Sequence, residues 1–378
     1  MKITARELNR ATLARQLLLN RERLPVGEAV RRVLALQAQQ PASPYLALWN
    51  RLEGFAPADL DAAFAGRTLV KATLLRITLH AVHAEDYPMV REAMRPTLHA
   101  SRLGHRFAAA GLTPADALEL EPGFLEFAVE PRSNGDLSAW LAERVGEERR
   151  DGAWWGMRAY APLVHVPSGG PWSFGTSPSY VAAPEGTFSR EREDKALEAL
   201  VLRCLEAFGP ASVADVAQFA TAQRARVRKA LHALTDTVEQ LDGPDGTILY
   251  DLPGAPRPPA DTPAPPRLMA MWDSTLLAYA DRGRMIPPDY RPLVIRVNGD
   301  VLPTLLVDGR VAGVWRPAEG GGVEATAFHD LTPQTWDGLA EEARSLTALL
   351  ADREPRVYGR YGHWWAKLPD AETRVLTG

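Results

Sequence analysis

Seven of the fourteen residues from Pro253 to Pro266 are proline. No helix interior or central strand accommodates that density, because each proline removes a backbone donor and fixes its own φ. The stretch is a stiff connector that ends one compact unit and divides the chain. Before it, apolar residues recur mainly at helical spacing; after it, they cluster in β-rich runs. At 378 residues the chain is long enough for two or three units with sizeable cores.

Leu8, Leu13, Leu17 and Leu18 form the apolar stripe of a first helix, and Pro25 is placed to open a second, continued by Val26, Val30 and Val33. Residues 55–66 predict a third helix. The run from Leu69 to Val82 is rich in β-branched residues and predicts two short strands, with helix returning from Ala84 to Met94. Helices followed by a small β-hairpin are the ground plan of a winged helix. A similar order recurs: a helix around Leu137–Val145, a strand within Tyr160–Val166, a strong helix over 193–208, then helices over 211–220 and 221–234 joined by a tight turn, with Ser212 and Thr221 as N-caps. Beyond the connector, Asn298-Gly299 and Asp308-Gly309 stand between apolar runs, a strong hairpin signal because a type I′ turn needs positive φ at both central residues. Val294–Val297, Leu305–Val307 and Arg310–Trp315 then predict a three-stranded meander, and residues 333–352 a closing helix. The expected fold is mainly α with small β-hairpins and a C-terminal β-meander (α+β). Its expected modules are three tandem winged-helix units, 1–110, 111–190 and 191–378, the last holding the connector at 253–266.

A net charge of −4 divides unevenly: residues 1–110 carry +7, 111–195 carry −6 and 196–378 carry −5. With screening over ~8 Å at physiological salt, a partner feels the local face. The N-terminal third is thus a candidate surface for a polyanion, with a solvated Arg-rich face as the plain alternative. The helix at 222–234 carries Arg224, Arg226, Arg228 and Lys229 with no acid until Asp236, as a recognition helix does. The single cysteine, Cys204, excludes an intrachain disulfide and a Cys-rich zinc site. No apolar run approaches the ~20 residues of a membrane span, and the start lacks a signal peptide's apolar core. A soluble cytoplasmic chain, without a membrane partner, is expected.

His80 and His83 stand three apart near Glu85 and Asp86, a zinc-like spacing on a helix. On the predicted strand they fall on opposite faces, so no metal and no cofactor are expected, and Glu85-Asp86 is read as a helix start. Glu119, Glu121 and Glu126 are read as a solvated loop. No Walker loop, dinucleotide fingerprint or Gly-x-Ser-x-Gly occurs. The unusual feature is Leu36-Gln37-Ala38-Gln39-Gln40-Pro41. Gln37 falls on the apolar line of Val26, Val30 and Val33, and if the chain leaves the helix there, Gln37 and Gln39 project to one side at a period of two. Two such amides can line a polar cleft or hold a water; a solvated helix end is the alternative.

From these residues onward the sequence resembles the bacterial winged-helix DNA glycosylases of the AlkZ type, over nearly its whole length. The anchors are Leu36-Gln37-Ala38-Gln39 with Ser43-Pro44-Tyr45, Leu75-Arg76-Ile77-Thr78-Leu79-His80 with Glu85-Asp86-Tyr87, Ala207 to Asp215, Ala280 to Arg284, and Leu306 to Arg316. The resemblance implies that Gln37 and Gln39, the Gln-x-Gln form of the family's Gln-x-Gln or Gln-x-Asp motif, are catalytic. It implies excision of N7-alkylated purines from double-stranded DNA and, for this branch, unhooking of interstrand crosslinks of the azinomycin type, an antibiotic self-resistance function. A monomer, nucleoid-associated when bound to DNA, is expected. His80 and Tyr45 are candidate site-lining residues. Asp308, Gly309 and Arg310 at the tip of a projecting hairpin, Arg316, and Arg224, Arg226 and Arg228 are candidate DNA contacts. The competing reading is a winged-helix transcription regulator or passive DNA-binding protein, which the basic helix favours but which gives no reason for Gln37.

Overall fold

The computed structural model describes residues 2–183 and 192–377. The chain is mainly helical with small antiparallel sheets, the α+β class expected. A capping box, Thr4 with Glu7, opens the first helix, Ala5–Arg15. Val26–Arg32 comes next, then the two-residue strand Leu36–Gln37 and the helices Ser43–Arg51 and Pro57–Ala65. Strands Leu69–Thr73 and Leu79–His83 pair with each other, and Leu36–Gln37 adds to the outer edge of the second. Across the inner edge the sheet continues through Leu163–Val166, Ser179–Ala182 and Arg132–Ser133, making six strands. One sheet therefore joins segments on both sides of residue 110, while the expected boundary at 190/191 lies outside the described residues.

Helices Glu193–Phe208, Val213–Ala220 and Arg224–Ala233 precede a two-stranded hairpin, Glu239–Asp242 with Ile248–Asp251. Ser212 caps the second of these through a capping box with Asp215. Thr221 is not an N-cap. It ends that same helix in the left-handed region at φ 50°, and Gln223 precedes the next. The proline stretch runs without regular structure and is strapped to the first helix: Arg6, Arg10 and Arg15 donate to the carbonyls of Ala260, Thr262 and Pro256.

Beyond it stands a five-stranded antiparallel sheet, in the order Thr373–Leu376, Val323–Ala327, Arg310–Pro317, Thr304–Val307 and Arg267–Leu268. The meander forms, but shifted by one strand from the expected one. Residues 291–294 are a short helix, Asn298-Gly299 closes a small turn marked by the bridge Ile295–Val301, and the third meander strand is Val323–Ala327. Helix Pro333–Ala351 packs on this sheet, whose centre is the fully buried Trp315, its indole N–H donating to Met269 O at 2.9 Å.

Further helices depart from expectation. Glu119, Glu121 and Glu126 lie on the helix Pro114–Phe127, which carries Pro122 in its interior and starts at a Thr113–Asp116 capping box. Ser43–Arg51 is buried at every position and so lacks the polar face by which a surface helix is read.

Candidate functional site

The chain leaves the helix Val26–Arg32 through Leu34, in the left-handed region at φ 73°, and becomes a strand at Leu36. Gln37 lies opposite His80 and Leu36 opposite Ala81. Gln37 is buried at 4 % exposure, whereas Gln39 is exposed. Their amides meet consecutive residues, Thr78 just before the neighbouring strand and Leu79 at its start. Thr78 Oγ1 lies 3.3 Å from Gln37 Oε1 and 3.1 Å from Leu75 O, sharing its one proton between them, and Leu79 N–H faces Gln39 Oε1 at 3.5 Å.

The segment that presents Thr78 is strained. Arg76 and Ile77 both hold positive φ, 54° and 58°, and a β-branched residue there is a true outlier. His80 Nδ1–H donates to Thr78 O at 3.0 Å, which leaves Nε2 to accept from Arg76 Nη2 at 3.1 Å. Burial, then the Arg76 charge, hold His80 well below the ordinary imidazole range, so it is a neutral, fixed acceptor. Arg76 rests over the Phe219 ring at 5.1 Å. Burial and the neighbouring Arg282 pull its guanidinium down to about 10, and its Nη1 has no hydrogen-bond partner. His80 is thus held opposite Gln37 but fully buried, behind the motif rather than on an open surface. Arg76 and Thr78, which the sequence reading left aside, position it.

Gln39 opens on a cleft of about 560 Å³ whose walls include Lys71, Arg158, His165, Trp172, Phe174 and Arg360. Behind Gln39, the Gln40 amide meets the Tyr361 hydroxyl at 2.6 Å. Lys71 is 4 % exposed, and its Nζ sits 4.3 Å from the Phe174 ring centroid. Burial pulls this ammonium from 10.5 down to about 8. The folded chain holds that proton less tightly than the unfolded chain. Stability therefore carries a penalty below pH 8, relieved as pH rises from about 8 to 10.5. Its full size is on the order of 3 kcal/mol. Lys71→Met should melt a few degrees higher at pH 7, with the gap closing near pH 10.5. A variant that melts no higher than wild type at pH 7 would contradict the buried, unpaired ammonium.

Other candidates fall elsewhere. Tyr45 is fully buried behind the cleft wall, its hydroxyl bonded to Asp61 at 2.5 Å and Ser173 at 2.6 Å and its ring 5.0 Å from that of Trp172. It supports the wall rather than lining the cleft. The Asp308-Gly309 turn forms with φ values of 47° and 77°, yet it is no free projection. Arg6 and Arg10 both pair with the Asp308 carboxylate, and Asn9 donates to Gly309 O at 2.7 Å. A Cβ on Gly309 would meet Asn9 Oδ1 at 2.5 Å. Arg310 is exposed but donates to Gly283 O at 3.0 Å. Arg316 is tied to Glu324 on the adjacent strand at 2.6 Å. On the basic helix, Arg224 and Arg228 are exposed, whereas Arg226 reaches Glu193 and Asp194 at 3.8 Å and Lys229 meets Asp194 at 2.5 Å.

The positive excess of the N-terminal third is in good part internal. Arg10 pairs with Asp308, Arg15 with Asp251, Arg21 with Glu342 and Arg51 with Asp273, all partners from the acidic last third. Among the described residues no group of three His, Cys, Asp or Glu is placed to share a metal ion, and none of the helices is long and apolar enough to cross a membrane. Cys204 is buried, which pushes its thiol up to about 12.

Comparison with known proteins bears on the whole arrangement. A family model, DNA glycosylase AlkZ-like, matches residues 30–349. Among solved structures, Streptomyces sahachiroi DNA glycosylase AlkZ is similar, with a TM-score of 0.80, 22 % identity, and coverage of 93 % of this chain and 98 % of that one. At that identity the likeness speaks for the fold. No curated protein sequence matches the chain.

Proposed function

The chain belongs to the AlkZ-like family of DNA glycosylases, and from that premise we propose that it is a monofunctional enzyme that hydrolyses the N-glycosidic bond of N7-alkylated purines at Gln37 and Gln39, including purines in interstrand crosslinks. The observation that carries this reading is the anchoring of the two amides on Thr78 and Leu79, with Gln39 lining an open cleft. An N7-alkylguanine already bears positive charge and leaves without a strong general acid. What remains is to stabilise an oxocarbenium-like sugar and hold a water on its open face. A glutamine carbonyl has no useful basicity, but its oxygen orients water and its dipole faces developing positive charge.

A neutral pair of amides serves only an activated leaving group, so undamaged DNA and neutral lesions should be left intact. The motif offers no amine for a Schiff base, which fits a product abasic site with both strands uncut. Metal plays no part in this mechanism. A base tethered to the opposite strand cannot be swung into an enclosed pocket, and a cleft open to solvent suits approach from the major groove, where N7 lies. We also read the chain as three winged-helix units, the third opening at the helix Glu193–Phe208, acting as a monomer on DNA in the cytoplasm or nucleoid. Of the basic candidates, Arg224, Arg228 and Arg310 are exposed enough to reach phosphate.

The test is direct. A duplex with one N7-methyldeoxyguanosine is incubated with the protein, and released base and alkali-labile strand breaks are measured. Release of N7-methylguanine with breaks only after alkali supports the reading. Intact DNA, or breaks without alkali, contradicts it.

A further inference from the structure

The cleft beside Gln39 has a charge imbalance that the excision chemistry leaves unused. Among the described residues, three cations reach it from three elements: Lys71 from a central strand, Arg158 from the helix Arg150–Tyr160, and Arg360 from the C-terminal segment. Its carboxylate, Glu354, is occupied by the Trp172 indole N–H at 2.5 Å. Lys71 is the telling member. Among the described residues its ammonium meets no carboxylate and makes no hydrogen bond, and what it touches is the Phe174 ring.

A buried ammonium without a counter-charge costs several kcal/mol, and a methionine would fill the same space without that cost. The groups around it do not relieve the charge. His165, opposite on the next strand, is pulled down to about 3, first by burial and then by Lys71 and Arg158, so it is neutral. Tyr180 on the strand beyond is raised by burial and stays protonated. Arg158 and Arg360 add positive charge, and Glu354 is engaged elsewhere. An arriving anion is the missing partner, and its site is next to the amide that faces the sugar.

We propose that Lys71, with Arg158 and Arg360, holds a backbone phosphodiester of the lesion-bearing strand in this cleft, fixing the sugar of the damaged nucleotide against Gln39. The assignment rests on the glycosylase reading above and names the group by which that site grips its substrate. Lys71 is here a binding and positioning residue. The phosphate it holds also places negative charge beside the sugar as the oxocarbenium develops.

Proton linkage separates this role from a structural one. Near pH 9 the free protein holds Lys71 mostly neutral, since burial draws it to about 8, and a phosphate contact restores the ammonium. Binding of a duplex containing one 2′-fluoro-N7-methyldeoxyguanosine, which resists cleavage, should then take up most of a proton at pH 9. That uptake is read from calorimetric enthalpies in buffers of different ionisation enthalpy. Lys71→Met should show none, bind about tenfold more weakly at pH 7, and lose about one unit of salt slope. Arg360→Gln, at an exposed position, should lose a similar slope while keeping the proton uptake.

Unchanged uptake and slope in Lys71→Met would overturn the proposal, with the glycosylase reading intact if wild type still excises the base. A borohydride-trapped covalent adduct on Lys71 would also overturn it, by making the amine a nucleophile. A wild-type protein that neither binds nor excises would remove the glycosylase reading first.

Discussion

Gln37→Ala and Gln39→Ala are each expected to slow single-turnover excision of N7-methylguanine by a hundred- to a thousandfold, about 3–4 kcal/mol of transition-state stabilisation for one positioned dipole. Duplex affinity should stay within a few-fold of wild type, because neither amide carries charge toward the phosphates. The expected cause is specific. Gln37 Oε1 is fixed by Thr78, and Thr78 by a segment with two residues at positive φ, so the dipole reaches the reacting sugar already oriented. Loss of Gln37 leaves Thr78 its second acceptor, Leu75 O, and the fold should survive. Melting curves of the variants close to wild type would verify that. Gln39→Asp, which recreates the other form of the family motif, should retain more activity than Gln39→Ala, since a carboxylate also orients water. Rates within a few-fold of wild type in both alanine variants would remove these residues from the chemistry. Equal inactivity of Gln39→Asp and Gln39→Ala would remove water orientation as the reason.

Gln37 stands out because it falls on an apolar line, but spacing alone favours a solvated helix end, and the catalytic reading of the motif comes from the family resemblance. The structure places Gln37 on a strand edge with its amide anchored. The helix over 193–208 and the Asp308-Gly309 turn were legible because each is specified by spacing within a few residues. What was not legible depends on distant partners. Nothing near Asp308 in sequence says that Arg6, Asn9 and Arg10 will close over that turn, so a docked tip reads as a free wing. The positive N-terminal third reads as a surface until its arginines are seen paired with acids about 200 or more residues away. Lys71 had one local signal, a charge inside an apolar strand in a chain with five lysines. Only the packing of Phe174 and His165 shows that it has no counter-ion.

Those distant pairs also set the largest stability effect expected. Asp273→Ala should destabilise the protein by about 3–5 kcal/mol at pH 7, the cost of leaving a buried charge without its partner. Arg51 and Asp273 are each 1 % exposed in their side chains and joined by two bonds, 2.9 and 3.1 Å. The carboxylate also accepts from Thr275 N at 3.0 Å and Thr275 Oγ1 at 2.8 Å, and Arg51 donates to Ala47 O at 2.9 Å. Arg51 ends the helix Ser43–Arg51, which begins four residues after Gln39, so the pair ties the backbone behind the motif to the C-terminal half. Against a total stability of roughly 5–15 kcal/mol, that loss should abolish excision at 37 °C and spare much of it in the cold. The pH dependence has a definite sign. Burial alone pushes the Asp273 carboxyl up, but Arg51 and the Thr275 bonds outweigh it and hold it below the ordinary carboxylate value. A carboxyl whose pKa is lowered by folding contributes fully above its unfolded value, about 3.9, and loses the contribution as pH falls through its folded value. The wild-type advantage over Asp273→Ala should therefore be full at pH 7 and shrink on acidification below about pH 4, as measured by urea melts. The double variant Arg51→Met/Asp273→Leu should recover most of the loss, because it removes both charges and fills the space. A gap under 1 kcal/mol at pH 7, or one that does not change with pH, would mean that the pair contributes little and that packing alone holds the helix behind the motif.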